Sequence, residues 1–168
     1  KLNIGSGKET LVGYTNLDIV PGENIQLVAD ISKKIPLEDN SVEEVYARHV
    51  IQYVDNFESA MSEIYRVCKP DANIKIIVYY YTHFLAYGGY AKRYFSPISF
   101  GAYTEDKPYR NKHSVRLKEL KITLKFQKHF KFIQRFANNH IWFYCNFLDK
   151  LLPAQEIEFT AKIDKKNS

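Results

Sequence analysis

Four residues near the start of the chain, Gly5, Gly7, Asp18 and Asp30, have types and spacing that could do chemistry. A Gly-x-Gly turn directly after an apolar strand lets a ligand approach the backbone, and free amides there can bind a carboxylate or phosphate. Asp18 and Asp30 close apolar runs at 14–19 and 25–29. In a parallel sheet both carboxylates fall on the carboxyl-end rim beside the glycines, where open α/β sheets bind ligands. A carboxylate at the end of the second strand can accept both hydroxyls of a ribose. Asp30 can accept from an adenine amino group while the backbone amide of Ile31 donates to the ring. Taken singly, each residue also has a plain structural reading, as a strand ending in a glycine turn or an aspartate capping a loop. A nicotinamide dehydrogenase is disfavoured: Asp18 follows Gly7 by eleven positions, against about twenty in that fingerprint.

The elements that must position these residues follow from the apolar pattern. Strands are predicted at 1–4, 14–19, 25–29 and 42–47, with only nine residues between the first two, so the first crossover helix must be very short. A helix is predicted from Asp55 or Asn56 to Cys68, stopped by Pro70 and Asp71. A buried strand then covers 73–81. Residues 82–114 hold two glycines, two prolines and many tyrosines and are expected to form a functional loop or lid. Residues 115–126 read as a half-buried strand with a bulge near Glu119, 136–152 as a helix ended by Pro153, and 157–163 as a last strand. The last two strands suit an edge or antiparallel placement. The whole is expected to be one α/β domain over 1–168 with a mostly parallel sheet.

Composition narrows the class. The chain has 168 residues with 45% hydrophobic and 15% aromatic side chains, enough for one sizeable core and incompatible with disorder or coiled coil. Residues 76–91 form the longest uncharged stretch and are too short and polar to span a bilayer. Cys68 and Cys145 are far apart, which excludes a zinc knuckle or disulfide framework and fits a reducing, cytoplasmic setting. No metal site is expected, since the histidine spacing matches none. Lys1 stands where a start Met would, so a few residues are expected to precede it, with no secretory leader. Net charge is +5 overall but −4 over 1–106 and +9 over 107–168, which suits either an anionic partner or simply a solvated basic face.

KLNIGSGKETLVGYTNLDI at 1–19, VADISKKIPLEDNSVEEVYARHVIQYV at 28–54 and RVCKPDANIKIIV at 66–78 resemble class I S-adenosylmethionine-dependent methyltransferases, in particular small bacterial ones often linked to surface-glycan biosynthesis. LLPAQEIEFTAKI, starting at Leu151, resembles them more loosely. The resemblance implies a Rossmann-like class I methyltransferase fold with a mostly parallel sheet, an antiparallel C-terminal strand and S-adenosyl-L-methionine as cofactor. It makes Gly5, Ser6 and Gly7 the loop beside the methionine portion, Asp18 the ribose ligand and Asp30 with Ile31 the adenine clamp, puts Arg48 and His49 at the sulfonium end, and counts Asn3 and Ile19 among the cofactor-binding residues. The chain departs from the family at Asn3, where an acid is usual, and at Glu9, where a third glycine is usual.

Methyl transfer from a sulfonium is an in-line displacement that chiefly needs alignment. For a hydroxyl acceptor a base helps, and His49 and His83 are the candidates, both expected on the cofactor rim. His113, His129 and His140 suit surface or packing roles. Tyr79, Tyr80, Tyr81, Phe84, Tyr87, Tyr90, Tyr94 and Phe95 could wall an acceptor site or simply pack the loop. Lys92 and Arg93 could bind an anionic group there. Trp142, Phe143, Phe147 and Leu148 suit core or dimer surface rather than pocket. The acceptor implied is a small molecule or saccharide. An RNA methyltransferase using the basic C-terminal half is disfavoured, since no Asn-Pro-Pro-aromatic signature follows the fourth strand. A non-catalytic methyltransferase-like binding module is the remaining alternative.

Overall fold

A computed structural model describes residues 1–104 and 114–165. Seven strands form one sheet: β1 Leu2–Ile4, β2 Thr15–Asp18, β3 Leu27–Val28, β4 Val42–Arg48, β5 Cys68–Tyr79, β6 Leu117–Lys125 and β7 Glu156–Ile163. Their order is β3-β2-β1-β4-β5-β7-β6. The pairs among β1 to β5 are parallel, while β7 runs antiparallel to both β5 and β6. The reversed strand is therefore inside the sheet and β6 is the edge. Leu2, Ile4, Val45, Ala47, Ile76 and Val78 are buried, as a sheet covered on both faces requires.

The helix α1 spans Phe57–Val67 and buries Phe57, Ala60, Met61, Ile64 and Val67, one stripe at three-to-four-residue spacing. Asn56 caps it by accepting the Ser59 amide at 3.0 Å. Cys68 already has extended backbone, so β5 starts five residues before its expected beginning. Pro70 forbids helix at the residue before it, and Asp71 absorbs the resulting irregularity at φ +62°.

No helix crosses between β1 and β2. Instead, the Asn3 amide donates to the Glu9 carbonyl at 3.0 Å and to Asn16 Oδ1 at 2.8 Å, and Asn16 Oδ1 accepts the Leu11 amide at 2.9 Å. The loop before β4 is held by Arg66 of α1, which donates to the carbonyls of Ile35 and Leu37 and to Glu63 and Asp39. The missing helices are thus replaced by side chains that satisfy loop carbonyls one by one.

After β5, buried Phe95, Phe100 and Tyr103 pack on Phe57, with Phe100 also 4.5 Å from Phe159. Phe95, Phe100 and Tyr103 of the expected lid are therefore core, as is Tyr80 of the expected aromatic wall, while Phe84, Tyr87, Tyr90 and Tyr94 are exposed; residues 105–113, with His113, lie outside the described residues. Glu119 has φ +54° at a register shift between Lys118 and Lys121, the expected bulge. The helix expected at 136–152 is broken: α2 spans Lys131–Asn139, His140 leaves helical geometry, and Tyr144–Leu148 form a π turn. Its cause is Tyr144, fully buried, with its hydroxyl bonded to the Leu152 carbonyl and the Ala154 amide. No helix among the described residues is long and apolar enough to cross a membrane, and none of their His, Cys, Asp or Glu residues cluster as a metal site.

Candidate active site

Strands β1 to β4 end on one rim, and a hollow of about 310 Å³ opens there, near the lower end of ligand sites, about 300–1,000 Å³. It is lined by Ile4, Gly5, Asp18, Ile19, Asp30, Ile31 and His49, among others, closed on one side by Val50, Tyr53, Val54 and Asp55. Carboxylates at two strand ends and apolar walls between them suit a nucleoside, whose base and sugar need both.

Gly5 has φ +64°, and a Cβ placed on it would stand 2.4 Å from the Val50 Cβ. Only glycine permits both that backbone and that approach. The amides of this turn are not free, however. Those of Gly5 and Ser6 donate to the Leu17 carbonyl at 2.8 and 3.1 Å, and that of Gly7 donates to Asp18 Oδ2 at 2.8 Å. The turn therefore offers close approach rather than the expected anion-binding amides, because with no helix behind it the loop must satisfy itself.

Asp18 is fixed from two sides, Oδ2 by Gly7 and Oδ1 by the Val20 amide at 3.0 Å, and each oxygen keeps a lone pair for a ligand hydroxyl. Asp30 Oδ1 accepts from the Ser32 amide and hydroxyl at 2.9 and 2.6 Å. These bonds, with Lys33 nearby, hold its carboxyl below the usual range. Ile31 is buried and Ile19 exposed, both on the wall of the hollow.

Asn3, Ser6 and Arg48 lie outside this hollow and line a smaller one of about 80 Å³ with Gly5, Glu9, Tyr46 and His49. Both hydrogens of the Asn3 amide serve the loop, as described. Arg48 is clamped: it donates to both Glu9 oxygens at 3.1 and 3.0 Å and to Glu156 Oε1 at 2.9 Å. Glu9 thus supplies an anion at the position where the sequence resemblance leads to the expectation of a glycine.

His49 lies on the walls of both hollows. It has φ +53°, stacks on Tyr79 at 4.0 Å, and its Nε2 is 2.8 Å from Glu156 Oε1. Its Nδ1 is buried without a partner. His83 is different. It is 4% exposed and off the hollow, with Nδ1 accepting the Leu85 amide as the cap of a 3₁₀ turn, and burial pushes its pKa down. The expected second rim base is thus a buried capping residue.

Glu156 was not found from the sequence. The His49 and Arg48 bonds bring its pKa from 4.5 to about 2. A signal was present in the alternation Glu156-Ile157-Glu158-Phe159, but only the reversal of β7 carries the strand's first residue to the rim where the parallel strands end.

A reversed seventh strand between β5 and β6, with a hollow at the ends of β1 to β4, defines the class: the Rossmann-like methyltransferase fold. Comparison with known proteins agrees. Residues 9–76 match a family described as a methyltransferase domain. A 66-residue stretch is 35% identical to the sterol 4-C-methyltransferase strm-1 of Caenorhabditis elegans, covering 39% of this chain and 19% of that protein's length. A SAM-dependent methyltransferase from Archaeoglobus fulgidus superposes with a TM-score of 0.65 at 17% identity, covering 96% of this chain and 84% of that one. Phosphoethanolamine N-methyltransferase 2 of Haemonchus contortus, solved with S-adenosyl-L-methionine, gives 0.54 at 16%, covering 98% and 48%. The family match supports a methyltransferase domain over residues 9–76, and the solved structures share its fold.

Proposed function

We propose that residues 1–168 form one methyltransferase domain that methylates a hydroxyl of a small molecule, a saccharide carrying an anionic group, in a reducing, cytoplasmic setting. The observation that supports this best is the meeting of Gly5, Asp18, Asp30, Ile31 and His49 around one nucleoside-sized hollow. Asp18 would hold the ribose and Asp30 with Ile31 the adenine, while Gly5 admits the methionine portion. When bound, S-adenosylmethionine would supply an activated methyl to the acceptor oxygen, with S-adenosylhomocysteine as the other product.

His49 takes the hydroxyl proton. With Nε2–H donated to Glu156, the lone pair sits on Nδ1, which is buried without a protein partner, so proton transfer requires the acceptor to displace the groups that cover it. The acceptor is held on the side of residues 92–99. There an open groove of about 400 Å³ is lined by Phe57, Lys92, Arg93, Tyr94, Phe95 and Ser99. Lys92 pairs with Asp55 of the cofactor hollow at 3.4 Å, so the two spaces adjoin. Tyr87 and Tyr94, both exposed with ring centres 4.9 Å apart, suit a sugar face. A saccharide rather than a sterol acceptor is favoured by the Lys92 and Arg93 cations and the exposed Tyr87–Tyr94 pair at this groove.

Calorimetry with S-adenosylmethionine tests the site. Asp18→Ala removes charged acceptors for two hydroxyls and is expected to weaken binding about 10- to 100-fold; equal affinity overturns the assignment. Release of S-adenosylhomocysteine on a panel of sugar phosphates reads turnover. Tight cofactor binding with no release on any acceptor supports the non-catalytic binding module instead.

A further inference from the structure

The helical segment between β6 and β7 presents an aromatic surface with no use in the chemistry above. Phe132 is 77% exposed, Trp142 72% and Phe147 58%. These rings are not scattered: Phe136 lies 6.0 Å from Phe143, Phe143 4.9 Å from Phe147, and Phe147 6.1 Å from Trp142, centre to centre. The opposite side of α2 is anchored. Ile133 and Ala137 are buried, and Asn138 bridges the amide and carbonyl of Leu124 on the edge strand at 2.7 and 2.9 Å. The aromatic face therefore cannot turn inward to cover itself.

Charge identifies the occupant. From residue 120 to 155 the sole acidic residue is Asp149, and it is 2% exposed, accepting the Tyr81 hydroxyl at 2.5 Å. Lys128, Lys131, Arg135 and Lys150 are exposed around the rings and make no ion pair among the described residues. We infer that this face docks on an anionic lipid bilayer. Exposed Phe and Trp rings enter the headgroup boundary while lysine and arginine meet lipid phosphates, the design of interfacial helices. A second copy fits poorly, since a two-fold contact sets each patch on its own image and brings Lys131 and Arg135 against like charges. Asp149 also ties this segment to the end of β5, through Tyr80, Tyr81 and Thr82, so the acceptor groove stays in fixed relation to the membrane plane.

Trp142 is the chain's single tryptophan, so its emission reports on this surface alone. Vesicles of phosphatidylglycerol and phosphatidylcholine in equal parts are expected to shift it to the blue and to co-sediment the protein, while pure phosphatidylcholine does neither. K131E/R135E is expected to weaken binding at least about tenfold, and Phe132→Ser to weaken it without altering the circular dichroism. The assay needs no cofactor and is independent of the methyl-transfer reading. The inference is overturned by no shift on the charged vesicles, by equal binding to neutral ones, or by a blue shift that grows with protein concentration alone, the mark of self-association.

Discussion

Replacing Glu156 by Gln keeps the side chain's shape and deletes its charge. Glu156 Oε1 lies within hydrogen-bond reach of Arg48 Nη2 and His49 Nε2 at 2.9 and 2.8 Å, and its side chain is only 16% exposed. Its pKa falls from 4.5 to about 2, owing first to His49 and then to Arg48. The unfolded chain therefore takes up this proton first. The stabilisation is complete above about pH 5 and is lost as pH falls toward about 2. Such a depression corresponds to about 3 kcal/mol at neutral pH, an upper figure. Glu156→Gln is expected to cost about 2–3 kcal/mol at neutral pH, and the gap from the parent should close through that acid window. Urea unfolding followed by circular dichroism over a pH series measures both quantities. A gap of constant size, or none at neutral pH, refutes the reasoning.

Two further substitutions probe what positions the site. Gly5→Ala meets Val50 at 2.4 Å on a left-handed backbone, whereas Gly7→Ala, at φ +47°, meets nothing within 4 Å. The first is expected to cost about 3 kcal/mol or more and the second about 1 kcal/mol. Equal losses in Tm would show that Val50 does not press on the turn. Arg66→Met strips the carbonyls of Ile35 and Leu37 and the carboxylates of Glu63 and Asp39 of a shared donor. It is expected to cost about 2 kcal/mol and to speed proteolysis between 35 and 39; unchanged cleavage counts against a clamping role.

The parallel half was legible in the sequence because each of its strands is a local apolar run ending in a polar residue. Glycine turn, Asp18 and Asp30 follow from that pattern alone. Whether an amide in the turn is free is not local: it depends on the carbonyl of Leu17 on the neighbouring strand. Nor could the separate fates of the two histidines be read. His49 and His83 both follow strands, but one is turned onto the rim against Glu156 and the other is folded under a 3₁₀ turn. The irregular helix after His140 escaped because a buried tyrosine hydroxyl, not helix propensity, sets its path.

Because β7 follows β6 in the chain yet lies between β5 and β6, its place must stay open until β6 and the helical segment after it have been made. A ribosome-bound chain can already bring its glycines and aspartates together while Arg48 has Glu9 as its one carboxylate partner and His49 faces no acid at all. The hollow at the ends of β1 to β4 is made first, and the group that aims the imidazole arrives only with β7.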